Sequence, residues 1–442
     1  MKEANSNQVV GPPLVLSASL WVFVAFLAAL FFFWTQDISH SVRWQGDGLI
    51  TVNEAVSTAN QGPHGVPRGV ILLSLGGFAA VSLLRSRRNP LRINGSLGYL
   101  IIFFMVWAAL SIAWADDTIM ELKRVVGFAL FALGALAVAE RFSIRQIIFL
   151  AFVTCGLFLF VGVLAEVGLG TFHVFQSGYR FCGTDDPNAG SWGLATLLLT
   201  AVTLASSAGR HRSIFWATAY MALVFLLLSR TRTSVAAVIF ALGSFWFLVQ
   251  SIPRKLAFIL GLLAICCLTY LVLGDELVAY ARQGILLGRE GTSGTGTDAS
   301  TLTGRIPVWY ECFSYVAKRP LLGYGYDCFW TPQHVVEVSS AIFSNTAVGW
   351  AFNSYIDLVL GVGFIGAGAY VLMLGLAIKR AICLFKTSWN SDYAFVCSLL
   401  IFYSIVMLTE GIAFAPSMTQ FTIAALLAKL GFCNSRVCNP KR

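Results

Sequence analysis

The chain contains the apolar stretch Gln146-Ile-Ile-Phe-Leu-Ala-Phe-Val-Thr-Cys-Gly-Leu-Phe-Leu-Phe-Val-Gly-Val-Leu-Ala-Glu166, which has no charged side chain between its two ends. A hydrocarbon core about 30 Å thick requires about 20 consecutive apolar residues in a helix. The length of this stretch therefore predicts a helix that crosses a membrane rather than a helix in the core of a soluble domain.

Comparable stretches recur along the 442-residue chain. Apolar residues make up 57% of the sequence and charged residues 12%, and the mean hydropathy is +0.76, which excludes an ordinary soluble domain. We predict an all-α polytopic membrane protein with about 12 transmembrane helices. The predicted spans are 14–34, 69–84, 96–114, 119–139, 146–168, 189–206, 213–229, 233–250, 255–273, 353–378, 393–410 and 417–432.

The connections between the spans divide the chain into three regions. Residues 1–273 hold nine predicted spans, residues 353–442 hold three spans and a tail, and the longest polar connection, 274–352, separates them. Within this connection, residues 303–317 are predicted to form an amphipathic helix on the membrane surface. The apolar side chains that recur there at helical spacing are Ile306, Trp309, Tyr310, Phe313 and Val316.

Lysine and arginine residues predict the orientation, because loops that stay in the cytoplasm carry the excess of positive charge. With the N-terminus inside, most of the 30 lysines and arginines fall in inner segments. Both termini are then cytoplasmic and the connection 274–352 lies outside. The net charge of +9 is mostly explained by these topology signals, so we expect no nucleic-acid partner.

The predicted outer loop 169–188 carries a group of polar side chains directly before a span. Arg180, Asp186 and Asn188 lie within nine residues of each other. One interpretation is an ordinary helix start, in which Pro187 or Asn188 occupies the first turn. The other is a polar site that faces a sugar or a phosphate.

Arginines also stand at the predicted outer ends of other spans. Arg230 and Arg232 lie between two long apolar stretches, where a charge is costly unless it is paired or solvated. Their side chains could simply extend to the membrane surface. Together with Arg124 and Arg305, they could instead hold the diphosphate of a lipid, because the planar guanidinium group binds phosphate oxygens through two hydrogen bonds.

The sequence between about 180 and 370 resembles the O-antigen ligase and polymerase superfamily of bacterial envelope polysaccharide assembly. No single motif is specific, but their order and the long connection before the tenth span carry the resemblance. The motifs are Arg180 with Asp186-Pro-Asn188, Ser229-Arg-Thr-Arg-Thr-Ser234, Gly304-Arg305 with Trp309, Arg319-Pro-Leu-Leu-Gly-Tyr-Gly325 with Phe329, Asn353-Ser-Tyr-Ile-Asp-Leu358 and Gly361-Val-Gly-Phe-Ile-Gly366.

The resemblance implies an inner-membrane glycosyltransferase that moves a glycan from undecaprenyl diphosphate to an acceptor sugar, or to lipid A–core, at the periplasmic face. Such proteins act in lipopolysaccharide or exopolysaccharide biosynthesis, and the motifs do not distinguish ligation from polymerisation. No metal or cofactor is expected. The residues implied to be catalytic are Arg305, Arg232, Asn353 and Tyr355. The residues implied to bind the diphosphate or glycan are Arg230, Arg180, Arg124, Asp186, Asn188 and Asp357.

One position departs from the family pattern. Many members have a histidine directly before the asparagine of the Asn-x-Tyr motif, and this chain has Phe352, whose side chain cannot accept a proton. Either another group replaces the histidine or the chain is an altered or inactive member. The nearby candidates are His334, Glu337, Tyr355 and Asp357. For Asp357 we favour the alternative that its carboxylate pairs with an outer arginine.

Two other classes of function fit part of the sequence. Twelve spans are typical of a transporter or flippase of lipid-linked solutes, but such proteins carry internal repeats and ionisable residues near the middle of the bilayer. We find no convincing repeat, and the arginines gather at one predicted face. The second class is a non-catalytic assembly partner, which Phe352 makes plausible.

Overall fold

A computed structural model describes residues 17–45, 65–85, 92–176, 178–207, 211–250, 305–342 and 348–433. Every regular element in these ranges is helical. The helices are α1 (Ala18–Thr35), α2 (His40–Gln45), α3 (Gly65–Arg85), α4 (Gly95–Leu110), α5 (Thr118–Arg141), α6 (Ile144–Gly168), α7 (Pro187–Ser207), α8 (Arg212–Leu228), α9 (Arg232–Val249), α10 (Arg305–Lys318), α11 (Pro332–Ile342), α12 (Ser354–Ser388), α13 (Ser391–Val406) and α14 (Met418–Phe432).

In the described ranges, seven helices are long and apolar enough to cross a membrane, namely α1, α4, α5, α6, α7, α9 and α12. The apolar helices α3, α8, α13 and α14 are shorter. These eleven helices coincide with eleven of the predicted spans, and the remaining prediction, 255–273, lies outside the described residues. The prediction of an all-helical, polytopic membrane protein is confirmed at this level.

Side chains at the helix starts explain several of the boundaries. Ser143 accepts a hydrogen bond from the backbone of Gln146, whose side chain accepts one from the backbone of Ser143, which forms a capping box at the start of α6. The carboxylate of Asp117 accepts a hydrogen bond from Met120 N at 2.9 Å and caps α5. Such caps stabilise helix ends by about 1 kcal/mol each.

The core is aromatic and aliphatic, and it runs along the bundle. Phe31, Phe395, Phe402, Tyr403 and Phe421 are fully buried within it. The closest helix pairs include α7 with α8, α9 with α13, α3 with α5, and α12 with α13. A second, smaller cluster lies beneath α10 and α11 and includes Val308, Cys312, Phe329 and Val335.

We define the site end of the bundle as the end at which α6 terminates and α7, α9 and α12 begin. At the opposite end, Arg145 at the start of α6 forms a buried ion pair with Asp392 of α13, with 3.0 Å between Nη1 and Oδ1. The predicted orientation places the site end on the periplasmic side.

The region Arg212–Val249 is divided into two helices at Ser229–Thr231. Arg230 has a φ of 52°, a left-handed conformation that an L-residue with a side chain rarely adopts. A continuous helix across this region would exceed the thickness of a bilayer, and the break returns the chain into the membrane. The break holds Arg230 and Arg232 at the site end.

Helix α10 lies within the segment predicted to be amphipathic, 303–317. Its buried side chains are Val308, Cys312, Tyr315 and Val316, and this side packs on α11 and α12. Of the apolar side chains that recur at helical spacing, Ile306, Tyr310 and Phe313 are exposed on the surface of the protein. The location of this helix on the membrane surface stays a prediction.

Candidate active site

The loop 178–186 is held by one buried carboxylate. Glu166, in the last turn of α6, accepts hydrogen bonds from Tyr179 Oη, from Cys182 N at 2.8 Å and from Gly183 N at 2.7 Å. The loop also packs closely on α6, because a Cβ atom at Gly162 would lie 2.9 Å from Gly183 Cα. Glu166 therefore holds the loop on both sides of Arg180, through the side chain of Tyr179 and through the backbone of Cys182 and Gly183.

Arg180 connects this loop to the break between α8 and α9. Its Nε donates to Ser229 O at 2.9 Å, and its Nη2 donates to Asn188 Oδ1 at 3.0 Å. The side chain is buried, with 8% of its surface exposed. Phe181 N donates to Leu228 O at 3.0 Å beside it. Arg180 thus positions the break, and Asn188 helps to orient Arg180.

Three other charged side chains act electrostatically on Arg180. Burial lowers the pKa of Arg180. The carboxylates of Asp186 and Glu410 oppose that shift, whereas the positive charge of Arg230 adds to it. Glu410 lies in the loop between α13 and α14. A carboxylate from the last part of the chain therefore acts on Arg180 together with the predicted residues Asp186 and Arg230.

The break itself is fixed by hydroxyl groups. Thr231 Oγ1 donates to Pro187 O at 3.1 Å, and Thr409 Oγ1 donates to Thr233 Oγ1 at 2.9 Å. These contacts join the start of α9 to the start of α7 and to the loop that carries Glu410. Arg230 and Arg232 flank Thr231, and both side chains are half-buried.

Arg305, the first residue of α10, forms an ion pair with Glu410. Its Nη2 lies 2.9 Å from Glu410 Oε1. The guanidinium carbon of Arg305 also lies 5.5 Å from the ring centre of Phe352, a cation–π distance. Phe352 has a φ of 51°, so it lies in a rarely populated backbone conformation beside this ion pair.

Glu410 is buried, with 4% of its surface exposed, and the start of α12 positions it. Ser354 Oγ donates to Glu410 O at 2.7 Å, and Ser354 N donates to Met407 O at 2.8 Å. Burial raises the pKa of Glu410, and the adjacent Arg305 opposes this shift. The carboxylate is therefore held close to one guanidinium group, away from bulk solvent.

The predicted residues at the start of α12 are engaged with the protein itself. Asn353 Oδ1 accepts from Tyr355 N at 3.0 Å and from Ile356 N at 3.2 Å, which caps the helix. Tyr355 Oη donates to Ser404 O at 2.9 Å. Asn353 and Tyr355 therefore support the site through the backbone.

Asp357 pairs with no arginine among the residues that the structure describes, contrary to our expectation. Its Oδ1 accepts hydrogen bonds from Trp330 Nε1 at 2.9 Å and from Ala351 N at 3.1 Å. These bonds hold the segment before Phe352 against the second apolar cluster. The indole of Trp330, rather than a guanidinium group, satisfies this buried carboxylate, because the turn after α10 brings Trp330 over the start of α12.

His334 and Glu337, which the sequence also offers as candidate proton acceptors, lie in α11. His334 Nδ1 is 2.7 Å from Phe329 O, and its ring stacks on that of Phe329 with 4.6 Å between centroids. Glu337 is exposed and accepts hydrogen bonds from Tyr315 Oη at 2.7 Å and Gln333 Nε2 at 2.8 Å. Neither of these side chains contacts Arg305.

Arg124 lies in a different group, at the mouth of a cavity. Its Nη1 is 3.2 Å from Asp327 Oδ2, and Asp327 has a φ of 57°. Glu121, one turn earlier in α5, is fully buried and accepts from Ser111 Oγ at 2.5 Å and from Tyr326 N at 2.6 Å. A glutamate in α5 thus fixes the loop of Asp327, as Glu166 in α6 fixes the loop of Arg180.

The cavity at Arg124 is mostly apolar and has a volume of about 170 Å³. It extends from Arg124 and Asp327 to Phe432, the last residue of α14. Its lining includes Phe104, Phe128, Phe131, Tyr370, Met373 and Leu427. The loop between α13 and α14 joins it to the arginine group, because Ala413–Pro416 line the cavity and Glu410 contacts Arg305.

Among the described residues, no group of three or more histidine, cysteine or acidic side chains is arranged to hold a metal ion. The polar atoms that converge at the site end belong to arginines, carboxylates and hydroxyl groups. Such a set can bind an anion and can accept or donate protons.

A family model described as O-antigen ligase matches residues 216–371. The match supports the assignment of this part of the chain to the O-antigen ligase and polymerase superfamily. The match confirms the resemblance drawn from the motifs, and no curated protein matches the chain. The O-antigen ligase segment contains Arg230, Arg232, Arg305 and Phe352, whereas Arg180 and Glu410 contact it from outside its limits. The apolar helices and the family together make the chain an integral membrane protein with a general role in envelope polysaccharide assembly.

Sequence reasoning did not identify Glu121, Glu166 or Glu410. Each is an acidic residue at or near the end of an apolar stretch, and such residues are rare in membrane-spanning segments unless they have a partner. A search for isolated acids in the predicted spans would have found all three. It would not have found their partners, which lie in other parts of the chain.

Proposed function

We propose that this chain transfers a glycan from undecaprenyl diphosphate to an acceptor sugar at the periplasmic face of the bacterial inner membrane, as a polysaccharide polymerase or an O-antigen ligase. The observation that carries the proposal is the placement of Arg305, Arg230 and Arg232 at one end of the bundle, inside the O-antigen ligase segment. The same end holds the mouth of the apolar cavity.

The arginines suit a reaction in which a diphosphate leaves. Guanidinium groups bind phosphate oxygens with paired hydrogen bonds, and a partly buried site strengthens the attraction because water screens it less. As the bond between the sugar and the diphosphate breaks, negative charge grows on the phosphate oxygen. Positive groups already held in place stabilise that charge without reorganisation.

The apolar cavity suits the lipid part of the same donor. Its aromatic and aliphatic lining can contact the first isoprene units, while the rest of the chain remains in the bilayer. Arg124 and Asp327 at its mouth lie where the polar and apolar parts of such a lipid meet. In this proposal Arg124 contacts the diphosphate as it enters, and Arg305 holds it during transfer.

The test uses the full-length chain and the variant Arg305→Ala. The chain is purified in detergent and incubated with lipid-linked glycans extracted from cells that lack its gene, and the release of undecaprenyl diphosphate is measured. We expect Arg305→Ala to reduce release by about 100-fold or more, because removal of one donor to a developing oxyanion has an effect of this size. Arg212→Ala is the matched control, since Arg212 is exposed at the opposite end of the bundle.

Two results would contradict the proposal. One is an unchanged rate of release in Arg305→Ala. The other is the absence of any release by the wild-type chain while transport of the intact lipid-linked glycan across vesicle membranes is observed. The second result would favour the flippase class instead.

A further inference from the structure

Phe352 cannot accept a proton, so another side chain must do so if the chain is an active transferase. The ion pair between Arg305 and Glu410 points to one such side chain. The guanidinium group of Arg305 contacts the carboxylate of Glu410 at 2.9 Å and the ring of Phe352 at 5.5 Å. Glu410 therefore lies next to the position at which other family members carry a histidine. It is a proton-accepting side chain, whereas Phe352 is not.

The other candidates are engaged in contacts that hold the protein together. Tyr355 and Asp357 are bonded to Ser404 O and to Trp330, and His334 stacks on Phe329. Glu410 differs from them because its partner is itself a candidate for binding the substrate. A diphosphate that attracts Arg305 removes the contact that neutralises Glu410.

We propose that Glu410 is the general base of the transfer reaction and that Arg305 holds its carboxylate until the donor diphosphate binds. This inference rests on the proposed function. In the step, the acceptor hydroxyl gives its proton to the Glu410 carboxylate while the acceptor oxygen forms a bond to C1 of the donor sugar. The bond between C1 and the diphosphate oxygen breaks, and its electron pair leaves on the diphosphate, which Arg305 binds. The proton then passes from Glu410 to water.

The surroundings of Glu410 make its carboxylate a stronger base than a solvated one. Burial raises its pKa, and the loss of Arg305 to the diphosphate removes the main opposing influence. The other charged groups that act on it are Asp186, which raises its pKa, and Arg180, which lowers it. A base is most effective when its pKa lies close to the working pH.

The first test is Glu410→Gln, which keeps the shape of the side chain and removes its charge. We expect the rate of glycan transfer to fall by about 100-fold to 10,000-fold, the range for loss of a general base. We expect binding of undecaprenyl diphosphate itself, measured by native mass spectrometry, to be unchanged or tighter, because Arg305 is no longer paired. Glu337→Gln is the matched control, since Glu337 is exposed and remote from Arg305.

The second test is the double variant Phe352→His with Glu410→Gln. We expect the histidine to restore at least a tenth of the wild-type rate. We also expect the rate to rise with pH through about 6.5, the ordinary pKa of histidine. If Glu410 only stabilised the fold, a histidine at position 352 would not restore the rate of transfer.

The outcomes separate this inference from the proposed function. If the wild-type chain is active and Glu410→Gln retains a normal rate, Glu410 is not the base, but glycan transfer stands. If Glu410→Gln loses both turnover and binding of undecaprenyl diphosphate, its role is structural and the inference is wrong. If the wild-type chain shows no transfer, the proposed function fails and the inference fails with it.

Discussion

At the scale of single residues, Glu166 controls the position of Arg180. Its carboxylate accepts two backbone N–H groups and one phenol, and it is fully buried. We predict that Glu166→Ala leaves Cys182 N and Gly183 N without partners, at a cost of about 1–3 kcal/mol for each buried group. The melting temperature in detergent and the rate of glycan transfer should then both fall.

Tyr179→Phe is the control for this prediction, because it removes only the phenol–carboxylate hydrogen bond and leaves both backbone bonds in place. We expect a smaller drop in melting temperature and a rate within a few-fold of the wild type. Equal effects of the two variants would show that the backbone bonds of Glu166 do not position the loop.

The sequence predicted the arginines of the site better than their partners. Arg230 and Arg232 stand between apolar stretches, and their cost in such a position is visible from the sequence. The partner of Arg305 is 105 residues away in the chain, and no local pattern indicates this pairing. Asn353 and Tyr355 lie at the start of α12, and the atoms they bond to depend on how that helix begins.

At the scale of elements, α12 is interrupted where the segment 320–325 crosses it. Gly363 has a φ of 66° and a ψ of −180°, which is not helical. The freed backbone groups find partners in the crossing segment, because Phe364 N donates to Pro320 O, Tyr324 N to Leu360 O and Gly325 N to Gly361 O, each at 2.8 Å. Irregular backbone at membrane depth is tolerated only when the protein satisfies it in this way.

The interruption predicts a severe effect of Gly363→Ala. A Cβ atom at Gly363 would lie 2.0 Å from Leu321 O, and the backbone there cannot move without losing these hydrogen bonds. The left-handed conformation adds about 1 kcal/mol or more. We expect little or no monodisperse protein on size-exclusion chromatography in detergent. Gly368→Ala, in the same helix with no atom near its Cβ position, should behave as the wild type.

The predictions of helices succeeded where length and charge decide the outcome. Eleven of the predicted spans coincide with apolar helices, and the break within 213–250 follows from the thickness of the bilayer and the polar run at Ser229–Thr231. The sequence does not show which side chains of α10 pack on the protein. This depends on α11 and α12, which the pattern of α10 does not contain.

At the scale of the whole molecule, the ion pairs at the two ends of the bundle differ in how far solvent reaches them. At the opposite end, Arg145 and Asp392 pair with each other and are almost fully buried, which is a structural arrangement. At the site end, Arg305 pairs with Glu410 and Arg124 pairs with Asp327. The two arginine side chains keep 19% and 20% of their surface exposed. A diphosphate can therefore reach these arginines and compete with their carboxylates, whereas no anion can reach Arg145 without unfolding that end.

The apolar cavity extends from the site end into the interior of the bundle. A larger side chain deep in the cavity should therefore weaken the binding only of donors with a long lipid. Ala424 of α14 lines the cavity, and we predict that Ala424→Phe raises the KM for the undecaprenyl donor several-fold. The same variant should leave the KM of a synthetic donor with a two-isoprene chain unchanged, because that chain is too short to extend from Arg124 to Ala424. Ala236→Phe, on an exposed part of α9, is the matched control for a bulkier side chain. If Ala424→Phe had the same KM for the undecaprenyl donor as the wild type, the lipid would bind elsewhere. The role proposed for Arg124 at the mouth of the cavity would then be lost as well.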